Sequence, residues 1–281
     1  VKLISKYLNK EKFICADLFS GSGIVARMLK KYSSKIIVND LENYSYVINS
    51  CYLTNKEEYP KKLCNELRNE IISSSLNKKI PGIITETYAP KDDNKIEKGE
   101  RVFYTHKNAL LIDTYRNLID KIVREENLKR FFLAPLITEA SIHVNTSGVF
   151  KGFYKDKNTG IGCFGAGGKN ALTRILGEVK LKEPVFSNFN SELEIFTKDA
   201  VLLSKEIKNA DIVYIDPPYN QHPYGSNYFM LNLILKNKLD VPISPVSGIT
   251  QGWNRSAFNK PYLALKSMEE IISSLDASYA V

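Results

Sequence analysis

Soft metal ligands are scarce in this chain, with three histidines and four cysteines among 281 residues. Cys15, Cys51, Cys64 and Cys163 stand far apart with no CxxC pair, which argues against a zinc site and against a disulfide framework. Thiols scattered in this way suit a reducing compartment. His106, His143 and His222 have no ligand spacing among them either, and no metal is expected. Long hydrophobic runs are missing too. The run FFLAPLI at 131–137 is far shorter than the roughly 20 residues a spanning helix requires. No signal peptide is legible, and with the scattered thiols a cytoplasmic location is the expectation. Internal repeats and low-complexity blocks are absent.

Basic residues are present in excess: 39 Lys and Arg face 31 Asp and Glu, a net charge of +8. Focused on one face, such an excess suits a polyanion; spread evenly, it is an ordinary lysine-rich surface. The length allows one large domain or two small ones, each with a core.

The chain opens as an α/β fold. FICADLF (13–19) reads as a short buried strand, GSG as a turn, and IVARMLKKY as a helix; KIIVND (35–40) is a second strand, followed by a helix over 41–53. Residues 61–76 have helical spacing, 81–104 read as loop, and helical spacing returns over 105–128. The stretch 148–170 reads as an irregular hairpin turning near Asn158-Thr159-Gly160, then a glycine-rich loop. Strand–helix alternation resumes with LEIFTKD (193–199), a helix over 200–209 and a strand over 211–215. Helices near 226–236 and over 257–274 flank a loop at 240–252, and ASYAV (277–281) opens a further strand. The simplest layout is one Rossmann-like sheet with a central insertion: 1–60 as the first part of the sheet domain, 61–184 as the insertion, 185–281 as its second part.

Two motifs carry chemistry. In the first, Asp17-Leu18-Phe19-Ser20-Gly21-Ser22-Gly23 occupies the first strand-to-helix turn, where glycines permit close approach of a ligand to the backbone. Asp40 follows Gly21 by 40 − 21 = 19 residues, at the end of the next strand, close to the spacing of an acid that binds ribose hydroxyls. A nicotinamide or flavin enzyme and a methyltransferase both fit this pattern.

The second motif, Asp216-Pro217-Pro218-Tyr219, ends the strand at 211–215. An ionised carboxylate accepts two hydrogen bonds and donates none, so Asp216 suits an NH₂ group. Proline fixes φ and removes a competing donor, so the diproline can hold a carbonyl rigidly toward the same amine. Tyr219 offers a flat face to a planar base. An exocyclic adenine amine, whose lone pair is delocalised into the ring, is the substrate these groups would activate. A base in a duplex reaches such a pocket only by flipping out. A dehydrogenase gives this motif no task.

With DLFSGSG upstream and DPPY downstream, the chain resembles the S-adenosylmethionine-dependent DNA adenine methyltransferases of the alpha, Dam-like group. The run DPPYNQHPYGSNYFMLN resembles a type II restriction–modification subgroup of them. The resemblance implies a class I methyltransferase sheet, S-adenosyl-L-methionine as cofactor, double-stranded DNA as substrate, and a cognate restriction endonuclease as a companion. It implies that Asp17, Phe19, Ser20, Gly21 and Gly23 line the methionine part of the cofactor, that Asp40 meets its ribose, and that Asp199 meets its adenine. Asp216, Pro217 and Pro218 would hold the target amine, and Tyr219 would stack on the target base. Asp199 also suits the N-cap of the helix that follows it. The family further carries a lysine- and glycine-containing motif upstream of the first strand, which VKLISKYLNKEKF does not match, and two more strands beyond residue 281.

Within the insertion, Lys151, Lys155, Lys157, Lys169 and Arg174 alternate with Phe150, Phe153, Tyr154 and Phe164. Cations, aromatics and glycines together suit a loop that contacts DNA phosphates. Competing readings are methylation of adenine in RNA, methylation of another planar amine, and an inactive nucleic-acid-binding relative.

Overall fold

The computed structural model of the chain describes residues 11–165, 169–219 and 221–281, with the side chains of 169 and 170 outside that set. Along the chain run β1 (Phe13–Asp17), α1 (Ile24–Leu29), β2 (Ser33–Asn39) and α2 (Asn43–Tyr52). Then come α3 (Lys61–Asn77), α4 (Ile83–Tyr88), α5 (His106–Ile122), α6 (Glu126–Ile142) and α7 (Lys169–Leu176). The remainder is β3 (Glu192–Phe196), α8 (Ala200–Ser204), β4 (Ala210–Tyr214), α9 (Tyr224–Asn227), α10 (Phe229–Lys236), α11 (Pro261–Ser274) and β5 (Ala277–Ala280). Among the described residues, contacts define two compact units. One comprises Val1–Pro60, Pro184–Pro223 and Asn254–Val281; the other comprises Lys61–Glu183 and Tyr224–Trp253.

The first unit is built on one parallel sheet of five strands in the order β3-β2-β1-β4-β5. Side chains alternate across it. Ala16, Ile37 and Val213 join Leu18, Leu203, Ile207, Phe258 and Ile271 on one face. Their neighbours Cys15 and Ile212 pack with Phe13 and Leu29, and Ile36 with Ala26, Val38 and Leu53, on the other. Cover on both faces is why these strands read as unbroken apolar runs rather than as polar–apolar alternation. At ~25 cal/mol per Å² of apolar surface, each fully buried Leu, Ile or Phe contributes about 1.5–3 kcal/mol. The sheet is Rossmann-like, as the strand–turn–helix pattern anticipates.

The second unit is helical. Helix α5 begins at a Thr105 cap, whose hydroxyl accepts the amide of Asn108 at 3.1 Å. It buries Ala109, Ile112, Tyr115 and Ile119, a 3–4 repeat packed against α3, α4 and α6. The apolar run FFLAPLI proves to be the core of α6.

Three expectations need correction. Helical spacing over 105–128 is broken at Val123–Glu125, between α5 and α6, where the chain is extended. The loop expected over 81–104 contains α4, because buried Asp113 of α5 accepts the amides of Ile84 at 3.1 Å and Thr85 at 2.7 Å. The helix expected over 200–209 is only Ala200–Ser204. A hairpin does occur where 148–170 suggested one: Lys155 bridges Gly162 antiparallel, and the Asp156 carboxylate accepts the amides of Asn158 and Thr159.

Candidate active site

The strand order places β1 beside β4, and open α/β sheets bind ligands at the carboxyl ends of strands where the order reverses. Three acids lie at the carboxyl ends of β2, β1 and β4. Asp17 is the last residue of β1, Asp40 follows β2, and Asp216 stands two residues past β4. Asp17 is buried, and its Oδ1 has no hydrogen-bond partner among the described residues. Burial, with the nearby charges of Asp40 and Asp216 adding to it, pushes its carboxyl up to about 7, against partial relief from the amides of Phe19 and Ala26. Burial also raises the carboxyl of Asp40, offset in part by the amides of Glu42, Gly21 and Leu41. No basic side chain among the described residues forms an ion pair with any of the three. A cation entering such a site would favour the ionised form of Asp17.

The glycine turn is held from two sides. Asp40 accepts the Gly21 amide on Oδ2 at 2.8 Å and the Glu42 amide on Oδ1 at 2.9 Å. The amide of Ser20 donates to the Asn39 carbonyl at 2.9 Å, which ties the turn to β2. Gly21 and Gly23 sit at φ +50 and +71, left-handed conformations that favour glycine. A Cβ on Gly21 would face open space, whereas one on Gly23 would lie 2.0 Å from Oδ1 of Asn49. Asn49 and Ser45, buried one turn apart on α2, were not singled out in the sequence, yet they support the turn from below. Nothing local marks them: only the fold brings α2 under residues 20–23.

Beyond β4 the diproline carries the chain away from the sheet. Pro218 is buried, while Asp216 is exposed and Tyr219 is 84% exposed. Pro217, Pro218 and Tyr219 line a groove of about 310 Å³ with Phe258, Pro261, Leu265 and Met268. The wall is mostly apolar. Phe258, also absent from the sequence-level candidates, meets Phe19 edge to face at 5.3 Å. Asp199 caps α8, its Oδ1 accepting the amides of Val201 at 2.9 Å and Leu202 at 3.3 Å.

The model of the D12 class N6 adenine-specific DNA methyltransferases matches residues 1–241 of this chain. The chain belongs to that family. It is 32% identical to the type II methyltransferase M.CviAII of Paramecium bursaria Chlorella virus 1, over 98% of this chain and 76% of that protein. It is likewise 32% identical to the type II methyltransferase M.NlaIII of Neisseria lactamica, over 80% of this chain and 60% of that protein. Identity to the modification methylase StsI of Streptococcus sanguinis is 25%, over all of this chain and 41% of that protein. The reaction is therefore methyl transfer to N6 of adenine in DNA.

In the helical unit of the methyltransferase, the basic residues differ in what they already touch. Lys155 and Lys157 are exposed on the hairpin, with the Lys155 ammonium 5.1 Å from the Phe153 ring centroid. Lys151 is half-buried, and burial pulls its ammonium below the usual lysine range. Arg174 turns its guanidinium onto the carbonyls of Ile142, Val144 and Thr146, a contact set that ties α7 to the end of α6. The Lys169 side chain lies outside the described residues. No helix among the described residues is long and apolar enough to cross a membrane.

Proposed function

We propose that the methyltransferase transfers the methyl group of S-adenosyl-L-methionine to an adenine flipped out of double-stranded DNA. In this reading it acts in the bacterial cytoplasm as the modification enzyme paired with a restriction endonuclease. The carrying observation is the convergence of Asp17, Asp40 and Asp216 at the strand ends, with no ion-paired cation among the described residues. The donor fits there: when bound it supplies an electrophilic methyl group on a positively charged sulfur, together with an ammonium.

The residues then divide the work. Phe19, Ser20, Gly21 and Gly23 bind the methionine part, and the unpaired Oδ1 of Asp17 accepts from its ammonium. Asp40, with lone pairs remaining beyond its bonds to backbone amides, accepts from the ribose hydroxyls. Asp199 faces the adenine end of the donor while capping α8. Asp216 and the Pro217 carbonyl accept from the target NH₂ and orient its lone pair, Pro218 holds that geometry, and Tyr219 stacks on the flipped base. When bound, the donor would supply the methyl group by direct displacement, its sulfur leaving as a neutral thioether and the proton of the methylated amine passing to solvent; with no covalent bond to the enzyme, orientation and electrostatics supply the rate. Lys151, Lys155, Lys157 and Lys169 contact phosphates. The names of the relatives, type II methyltransferases and modification methylases, support the restriction–modification setting.

The test is transfer of labelled methyl from S-adenosylmethionine to unmethylated genomic DNA, with Asp216→Ala alongside. Label recovered as N6-methyladenine, and lost in the variant, supports the proposal. Label found in RNA, or retained by Asp216→Ala, overturns it.

A further inference from the structure

Ser20 of the glycine turn forms a buried polar cluster with two side chains beneath it, Ser45 and Asn49, to which the roles above assign nothing. Ser20, Ser45 and Asn49 are 6%, 0% and 1% exposed. The Asn49 amide nitrogen lies 3.1 Å from the hydroxyl of Ser20, 3.1 Å from that of Ser45, 3.0 Å from the Ser45 carbonyl and 3.5 Å from the Gly21 carbonyl. The two serine hydroxyls are 3.4 Å apart. The other end of the amide, Oδ1, is buried with no hydrogen-bond partner among the described residues and abuts Gly23, where a Cβ would stand 2.0 Å away. A buried amide with one end unpaired costs stability, a cost that a role in placing the turn would explain.

We infer that Asn49 is a positioning residue for donor binding: its NH₂ draws Ser20 and Gly21 down onto α2, and its Oδ1 holds Gly23 at a fixed height. The two ends act on opposite sides of the same turn. Asn49 thereby sets how the backbone of residues 20–23 meets the methionine part of the donor. None of its described bonds reaches Asp216 or Tyr219, so its influence falls on donor affinity rather than on activation of the target amine. This inference rests on the donor-binding role proposed above for the turn.

The experiment uses the full chain, with S-adenosylmethionine binding followed by calorimetry and methyl transfer to DNA followed by kinetics. Asn49→Ala is expected to raise Kd and KM for the donor about tenfold or more, with kcat at saturating donor and KM for DNA within about twofold. Ser45→Ala, a smaller change in the same cluster, should shift donor affinity in the same direction and serves if Asn49→Ala does not fold. Gly23→Ala should weaken donor binding in the wild type, and should do so less in the Asn49→Ala background, where the added methyl finds room. Wild-type donor affinity in both single variants, a parallel fall in kcat and DNA affinity, or strictly additive losses would each overturn the inference alone. A wild-type protein that does not bind the donor would overturn the underlying reading as well, and so is distinguishable.

Discussion

Oδ2 of Asp40 lies 2.8 Å from the amide nitrogen of Gly21, so the acid that ends β2 accepts from the turn that ends β1. Its second oxygen takes the amide of Glu42 at 2.9 Å. The acid therefore shapes the turn before any ligand arrives. Asp40→Ala should weaken S-adenosylmethionine binding by roughly 10- to 100-fold, as expected for losing charge-assisted bonds worth about 1.5–3 kcal/mol. Asp40→Asn, which keeps one acceptor, should fall between Ala and wild type. Calorimetric titration of the three proteins checks the order.

Asp216 and Tyr219 should separate in their effects. Removing the carboxylate in Asp216→Ala is expected to lower kcat at least 100-fold, about 2.7 kcal/mol of transition-state stabilisation, while donor affinity is nearly kept. Tyr219 is 84% exposed, so Tyr219→Ala should leave thermal stability unchanged. It should instead weaken DNA binding by about 1–3 kcal/mol through lost stacking, with Tyr219→Phe close to wild type. Steady-state kinetics with melting curves distinguish these outcomes.

The Asp17 carboxyl, pushed up to about 7 from 3.8, gives a pH signature. Between those two values the folded protein keeps a proton that the unfolded chain releases, so stability falls as pH rises through this window. Asp17→Asn should therefore match the stability of wild type below pH 3.8 and exceed it at pH 8, by on the order of 1–4 kcal/mol. A bound cation favours the ionised acid. Donor affinity should accordingly increase from pH 5 to pH 8 in the wild type, and the Asn variant should bind weakly with that increase removed. Melting curves and titrations across pH read both.

The basic residues of the helical unit predict a contrast. Arg174→Ala strips partners from the carbonyls of Ile142, Val144 and Thr146, and should destabilise the protein by about 1–3 kcal/mol. Lys155→Ala should leave the melting temperature unchanged and weaken DNA binding at every sequence, with the slope of log K against log salt reduced by about one. Denaturation and salt-dependent binding measurements separate the two.

What could be read in the sequence was local. The β1–turn–α1 segment was legible because a buried strand, glycines and an apolar helix follow one another within twenty residues, and β4 because the diproline marks its end. Asp199 illustrates a residue with two compatible uses: the structure displays the cap, and the cap does not decide the other use. The features that escaped depend on distant partners. Helix α4 is six residues long and starts under the carboxylate of Asp113, about thirty positions later, which no window around 83–88 contains. Asn49 and Phe258 likewise carry ordinary helix or turn surroundings, and only the folded sheet brings them to the glycine turn and the groove.

The pairing of β2 with β3 also has a consequence for how the protein is made. Lys35 meets Glu194 at 2.6 Å across a separation of 159 residues. At about 5–20 residues per second, a ribosome needs roughly 8–30 s to reach the second partner after the first. Throughout that interval the outer edge of β2 is an open row of backbone donors and acceptors, the kind of surface on which nascent chains associate wrongly. Completion of the sheet is a late, long-range event in biosynthesis, and refolding from denaturant should be correspondingly slow and prone to loss at high concentration.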